Sequence, residues 1–441
     1  MADNNQPLTV FWFRRDLRLT DNHGLFEALK GNTPVLPLFI YDTDILNALP
    51  DKKDRRVAFI HQALSQINAV LKTLGSSLLI IHDTPLAAFE KICQQYNVAR
   101  VVTNNDYEPY ARDRDARIEA FLQSKSIPFA SFKDQVIYEK SDVMKLDGTP
   151  YTVYPPYAKM WQRQYAAGQP VTYQSEALLN NVFKNTAFHF PSLADIGFEV
   201  VDMEAFTILI DEDIIRNYHD TRNLPAVAGT SHVSVHLRFG TISVRQVVSL
   251  AARLNEKWLN ELIWREFFMM ILFHFPRVTK GPYKLKYDHI QWRNNEAEFE
   301  RWCRGETGYP IVDAGMRQLN ETGWMHNRVR LLTSSFLVKH LLIDWKWGDA
   351  YFADKLLDYD LSSNNGNWQW VTGSGSEAAP YFRIFNPLEQ TKKFDPDLVY
   401  VKRWVKEYQT GYLPLMVEHD FARKRALEVF KRSLATVAAG M

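Results

Sequence analysis

The feature that most constrains this chain is a change of pattern along its length. Up to about residue 132, short apolar, β-branched runs alternate with amphipathic stretches, and beyond about residue 200 strand signals nearly vanish. The runs are Leu8 to Phe13, Val35 to Tyr41, Ser77 to Ile81, Arg100 to Thr103 and Phe129 to Phe132. Lys53 to Leu74, Leu86 to Tyr96 and Tyr110 to Ser124 read as helices between them. Such alternation predicts a parallel sheet with right-handed crossovers. From Lys133 to Val200 the periodicity fades and Pro, Asn and Gly accumulate, which predicts a long connection. Further on, helices are expected over Glu204 to Tyr218, Val244 to Leu254, Glu261 to His274, Ala297 to Arg304, Ile311 to Glu321, His326 to Leu342, Trp347 to Leu357 and Phe421 to Leu434. The expected organisation is an α/β domain over 1–132, a linker over 133–200 and an all-α domain over 201–441.

Composition narrows the class. At 441 residues, 46% hydrophobic and 23% charged, the chain matches an ordinary globular protein able to bury a full core. Cys93 and Cys303 match no zinc spacing, so free thiols and no metal site are expected. The N-terminus lacks the pattern of a signal peptide, and the most apolar run, Phe267 to Pro276, is about half a membrane span. A soluble, cytoplasmic, monomeric protein with no membrane partner is expected.

Two local biases stand out. Between Arg216 and Lys286 there are eleven basic residues against four acidic ones, although the net charge is only +1. That excess reads either as a phosphate-facing stripe or as an ordinary solvated surface. Ten of the twelve tryptophans lie between Trp258 and Trp404. Core packing, base stacking and electron transfer all remain open for them.

The turn after the first run, Arg14-Arg15-Asp16-Leu17-Arg18, is not a glycine-rich phosphate loop. Gly373-Ser374-Gly375-Ser376-Glu377-Ala378 fits a dinucleotide fingerprint, but no strand precedes it and no βαβ unit surrounds it. A nicotinamide-type dehydrogenase is therefore not expected. Chemistry is denser elsewhere. Asp358 to Trp370 packs polar side chains between an apolar helix and two tryptophans, so these must satisfy one another or a polar ligand. In Gly323 to Arg330, Arg330 is placed to pair with Asp358 or Asp360. Glu261 and Trp264 fall one turn apart on one helix face.

These residues resemble the photolyase/cryptochrome family, and within it the class I cyclobutane pyrimidine dimer photolyases. The resemblance runs from Phe11-Trp12-Phe13-Arg14-Arg15-Asp16-Leu17-Arg18, through Thr307-Gly308-Tyr309-Pro310-Ile311-Val312-Asp313-Ala314-Gly315-Met316-Arg317, to Ala379-Pro380-Tyr381-Phe382-Arg383-Ile384-Phe385-Asn386-Pro387. It implies a Rossmann-like α/β domain, a long linker and a helical domain enclosing FAD, reduced and anionic in the active form. The implied activity is repair of pyrimidine dimers in UV-damaged DNA, by electron transfer from excited reduced flavin to a flipped-out lesion and back. A cryptochrome-type photoreceptor without repair is the alternative.

The same resemblance implies the roles of individual residues. Tyr218, Thr230, Ser231 and Ser234 align with the residues that hold the flavin phosphates, and Asp358 and Asp360 with carboxylates around the isoalloxazine, with Arg330 paired to Asp358. Asn364 aligns with the residue facing flavin N5. Glu261, Trp264, Asn327 and Trp370 align with the lesion pocket, and burial should raise the Glu261 pKa. Arg222, Arg265, Arg328, Gln390 and Lys393 align with positions on the DNA. Trp368, Trp345 and Trp292 align with an electron-transfer chain. Leu331 stands where dimer photolyases usually carry Met, a swap that preserves volume. The stretch Tyr107 to Asp113 lacks the Asn-Glu pair of folate binders, which leaves the antenna chromophore open among a deazaflavin, a flavin, a folate or none.

Overall fold

In the computed structural model, which describes residues 6–201 and 210–439, the five expected strands form one sheet. Strands β1 (Leu8–Phe13), β2 (Val35–Asp42), β3 (Leu79–Asp83), β4 (Val98–Asn104) and β5 (Phe129–Phe132) run in the order β3-β2-β1-β4-β5, every neighbouring pair parallel. β1 and β2 are buried at every position, as parallel strands covered on both faces must be. β3 begins two residues later than the apolar run suggested. Ser76 and Ser77 donate their hydroxyls to the carbonyls of Phe183 and Asn185, so the chain is anchored there before its ladder starts.

The crossover helices Arg55–Thr73, Pro85–Gln95 and Pro109–Ser124 lie where the periodicity placed them. Asp54 and Thr84 cap the first two through their side chains. The stretch 133–200 is less irregular than expected, because it contains the helix Tyr154–Ala167. Pro155 and Pro156 read as loop residues, but they sit in its first turn, where a missing N–H breaks no intrahelical bond.

The chain divides into two compact units. One gathers Met1–Glu139, Arg163–Leu209 and Val233–Leu250, and the other Lys140–Gln162, Ile210–His232 and Ala251–Met441. The first carries the sheet, with a core that includes Leu8, Trp12, Leu38, Phe89 and Phe183. The second is helical and packs around Trp302, Tyr309, Phe336, Trp345 and Trp368.

Within the second unit, the helix expected over Glu204 to Tyr218 falls partly outside the described residues. Its described part is two short helices, Glu212–Arg216 and Tyr218–Thr221. His326 to Leu342 is α-helical only over Asn327–Ser335 and continues as a π-helical turn, Phe336–Leu341. The helix Leu361–Thr372 was not legible in the sequence, because Ser362-Ser363-Asn364-Asn365-Gly366-Asn367 has poor helix propensity. Packing compensates. Asp360 caps its start by accepting from Ser363 N at 3.0 Å. A methyl group at Gly366 would run into the Phe268 ring of the adjacent Glu256–His274 helix. The fingerprint-like stretch at Gly373 is the end of this same helix, with Gly373 at φ 97° as its left-handed cap, and it forms no nucleotide loop.

Lys339 closes the other end of this helix. It is fully buried on the π-helical turn, donates to the Thr372 carbonyl at 2.9 Å and lies 3.8 Å over the Phe430 ring. Among the described residues no carboxylate pairs with it, and burial pulls its pKa down to about 7. The unfolded chain still binds that proton up to about pH 10. Stability should therefore rise with pH across the window from about 7 to about 10, by at most ~1.4 kcal/mol per pH unit. Lys339→Met should flatten that slope, and urea unfolding at several pH values in the window checks it.

Candidate functional site

The site is built on three helices of the second unit. Glu256–His274 carries Glu261, Trp264 and Arg265. Asn327–Ser335 carries Asn327, Arg328 and Arg330, and Leu361–Thr372 carries Asn364, Trp368 and Trp370. His326 caps the middle helix by accepting from Arg328 N at 3.1 Å, which sets Asn327 as its exposed first residue. Trp368 and Trp370 are two residues apart, so they point to different sides of one helix. Trp368 is buried in the core, whereas Trp370 is half-buried.

Trp264 stacks on Tyr154, with ring centroids 3.6 Å apart and 7° between planes. One indole face is thus covered by a residue that the sequence reading missed, and Phe268 packs against the same indole at 5.4 Å with 35° between planes. Tyr154 lies in the proline-rich stretch read as linker, so no local signal marked it.

Glu261 forms an ion pair with Arg222 at 2.7 Å, at the rim, with its side chain 31% exposed. Arg222, expected on a DNA phosphate, is here committed to the pocket carboxylate and lies 5.2 Å over the Tyr218 ring. Burial raises the Glu261 pKa, the expected direction, and Arg222 opposes that rise. Arg222→Ala should therefore raise it further, seen as a protonated-carboxyl infrared band that persists to higher pH.

The polar wall is more enclosed. Arg330 donates Nη2 to Asp358 at 2.9 and 3.1 Å and Nε to the Met325 carbonyl at 2.8 Å, which selects Asp358 over Asp360 as its partner. Asp360 Oδ1 caps the Leu361–Thr372 helix, accepting from Ser363 N and Ser362 Oγ. Asn364 donates Nδ2 to the Asp349 carboxylate at 2.7 Å and to its carbonyl at 3.1 Å, so its amide oxygen is left to face away from Asp349. Burial pushes the Asp349 carboxyl up to about 7. Asp349 had no sequence signal, since an acid inside a helix reads as surface.

Tyr218 is buried, Thr230 and Ser231 are half-buried, and Ser234, on the Val233–Phe239 helix that groups with the first unit, is exposed. His232 stacks on Trp324 at 4.1 Å. Nearby, His326 Nε2 is buried with no protein partner, and burial with Arg330, Arg328 and His232 close by lowers that imidazole to about 4.

Arg328 and Lys393 both lie over the Phe394 ring, at 4.6 and 5.3 Å. Arg328 also donates to Asn223 Oδ1 at 2.6 Å, while Gln390, on the Pro387–Phe394 helix, is half-buried. The basic excess of the sequence is not one continuous stripe. Arg245 is buried on Asp21 and Asp134, Arg238 pairs with Glu108, and Arg216 and Arg253 pair with Glu212. Counting charges along a chain does not reveal partners distant in sequence.

In the first unit, the switch point of the strand order lies between β1 and β4, where such folds carry ligands. Its polar residues are largely engaged with one another. Arg15 pairs with Glu108 at 2.7 Å, Asn105 and Tyr107 donate to Glu139 at 2.8 Å, and Tyr110 donates to Asp42 at 2.7 Å. Among the described residues, no cluster could hold a metal and no helix is long and apolar enough to cross a membrane.

Comparison with known proteins bears directly on this arrangement. Residues 9–175 match the family profile DNA photolyase, and residues 258–411 match the FAD binding domain of DNA photolyase. A deoxyribodipyrimidine photo-lyase of Synechococcus is 36% identical, with 97% of each chain covered. The chain belongs to the DNA photolyase family. The deoxyribodipyrimidine photo-lyase of Escherichia coli is 36% identical, covering 93% of this chain and 91% of its own. Among solved structures, a class III photolyase from Agrobacterium tumefaciens superposes with a TM-score of 0.86 at 30% identity and 98% coverage of both chains. An archaeal photolyase from Sulfolobus tokodaii, solved with two FAD molecules, gives 0.80 at 31%, covering 96% of this chain and all of its own.

The residues present fit a flavin dinucleotide. The half-buried hydroxyls of Thr230 and Ser231 suit phosphate, the Arg330–Asp358 pair and the Asn364 amide suit a polar heterocycle, and the unpartnered His326 Nε2 is an orphan that a bound polar group would satisfy.

Proposed function

We propose that this protein repairs cyclobutane pyrimidine dimers in DNA with light, holding FAD in its helical unit. FAD, when bound and reduced, supplies the light-driven electron. The observation that carries the reading is the pocket wall: a half-buried Trp264, fixed by its stack on Tyr154, one helical turn from a Glu261 whose pKa is raised. A flipped, poorly stacked lesion would lie against the Trp264 indole while its base edges meet Glu261 and Asn327. A protonated Glu261 would donate to a base carbonyl, and it bears no charge to repel an anionic lesion. When DNA arrives, Arg222 would be released from Glu261 toward a phosphate. Arg328 and Lys393 would take further phosphates and position the duplex without reading sequence.

Around the cofactor, Arg330 held by Asp358 would lie beside the ring. The amide oxygen of Asn364, turned away from Asp349, would accept a hydrogen bond from a ring N–H. Trp368, Trp345 and Trp292 would relay electrons inward when the flavin is oxidised. The burial of Trp368 and Trp345, set against the half-exposed Trp292, suits a path that leads outward.

Dimer-containing oligothymidylate should regain thymine absorbance only when the reduced holoenzyme is illuminated, and equal recovery in the dark would overturn the assignment. Trp264→Ala should weaken discrimination between damaged and intact DNA by about 1–3 kcal/mol, the worth of one base–aromatic stack, as measured by competition binding. Arg328→Ala and Lys393→Ala should each reduce the slope of log affinity against log salt by about 0.9, with little change in discrimination.

A further inference from the structure

We propose that Glu377 is a positioning residue of the lesion pocket, which braces the Trp264 wall against the helix that carries Trp370. The proposal rests on the reading above, in which a flipped lesion lies against the Trp264 indole. It gives a role to Gly373-Ser374-Gly375-Ser376-Glu377-Ala378, the stretch that fits a dinucleotide fingerprint and forms no nucleotide loop.

The first support is the start of the Tyr154–Ala167 helix. Val153 has no side-chain oxygen to cap it, and Pro155 and Pro156 bring no N–H. The Tyr154 N–H has no partner inside the helix and needs one from elsewhere. Glu377, 223 residues further along, supplies it, accepting from Tyr154 N at 2.9 Å. A carboxylate there also meets the positive end of the helix dipole. The same tyrosine is tied at its far end, where the hydroxyl donates to the Asn260 carbonyl at 3.0 Å, on the helix that carries Glu261 and Trp264. Burial and the Glu261 charge raise the phenol pKa, so that hydroxyl stays a donor. Between these two ties the Tyr154 ring stacks on Trp264. With both ends of Tyr154 held, the indole has one plane to rest on.

The second support is how firmly Glu377 itself is placed. After Gly373 the chain folds back on the end of the Leu361–Thr372 helix. Ser374 N and Gly375 N donate to the Gln369 carbonyl at 3.0 and 3.1 Å, and Ala379 N donates to the Trp370 carbonyl at 3.1 Å. The Ser374 carbonyl accepts from Lys284 N at 2.8 Å. A Cβ at Gly375 would come within 2.9 Å of the Glu377 carbonyl, so the turn closes this tightly only with glycine there. Glu377 lies between these ties and is held in register with Trp370. A chain of short contacts therefore runs from the Trp370 backbone through Glu377 and Tyr154 to the Trp264 indole. Lys284 lies near enough to feel the Glu377 charge, but a bare ion pair would need that charge, whereas the brace needs only an acceptor.

The test is competition binding of dimer-containing against intact oligothymidylate by the FAD-loaded protein. Glu377→Ala should lower the discrimination about fivefold or more, up to the roughly 150-fold that a whole base stack is worth. Glu377→Gln loses the charge but keeps an oxygen that accepts from Tyr154 N, and it should discriminate like the parent. In a Trp264→Ala background Glu377→Ala should cost nothing further, because it acts through that indole, whereas a general loss of stability would add. Tyr154→Leu removes the stacked ring and leaves Glu377 in place. It should give the same loss as Glu377→Ala, and it carries the test if Glu377→Ala does not retain FAD. The brace is wrong if Glu377→Ala or Tyr154→Leu keeps parental discrimination, if Glu377→Gln is as impaired as Glu377→Ala, or if the Glu377→Ala loss persists in full on Trp264→Ala. Trp264→Ala alone separates the two levels. If it leaves discrimination unchanged, the reading of the pocket falls and the brace with it. If it abolishes discrimination while Glu377→Ala does not alter it, only the brace falls.

Discussion

Much of the second unit depends on close packing around the Leu361–Thr372 helix. Its sequence would not hold a helix in water, yet it carries Asn364, Trp368 and Trp370. Two glycines make its position possible. Gly366 lets the helix press against Phe268, and Gly348 leaves the space that the Trp368 indole fills. A side chain at either point would push the helix outward and move three candidate site residues together. The two ends are fixed by polar side chains, Asp360 at the start and the buried Lys339 at the last carbonyl. Inside, Asn365 and Gln369 both donate to the Val278 carbonyl at 3.0 Å, tying the helix to a neighbouring loop.

This construction separates two chemical environments by a single turn of backbone. Trp368 faces an aromatic core that includes Phe352 and Trp302. Asn364 faces Asp349, whose carboxyl burial raises, and Trp370 is half-buried. Rigid elements on which each side chain has one direction are what a site needs when electron transfer falls off steeply with distance. The same logic applies to the pocket rim, where Tyr154 fixes the Trp264 plane and Arg222 holds Glu261.

The ion pairs show why a local charge count was a weak guide. Arg245 contributes to the basic excess between residues 216 and 286, but it is buried against two aspartates more than a hundred residues earlier. What remains is narrower: Arg328 and Lys393 over one phenylalanine, with Arg222 paired to Glu261.

The strand–helix alternation, the parallel sheet, the helical second half and most helix positions were legible in the sequence, because hydrophobic periodicity is a local property. So was the photolyase family, through motifs long enough to be specific. Three kinds of fact were decided only by tertiary structure. The Leu361–Thr372 helix exists because Phe268, Asp360 and Lys339 enforce it against its own propensity. Tyr154 reaches Trp264 from a stretch that reads as linker, and Asp349 reaches Asn364 from a helix that reads as surface. Arg330 pairs with Asp358, while Asp360 Oδ1 serves the helix cap. In each case the deciding contact joins residues far apart in sequence or competing for one partner, and neither circumstance leaves a periodic trace along the chain.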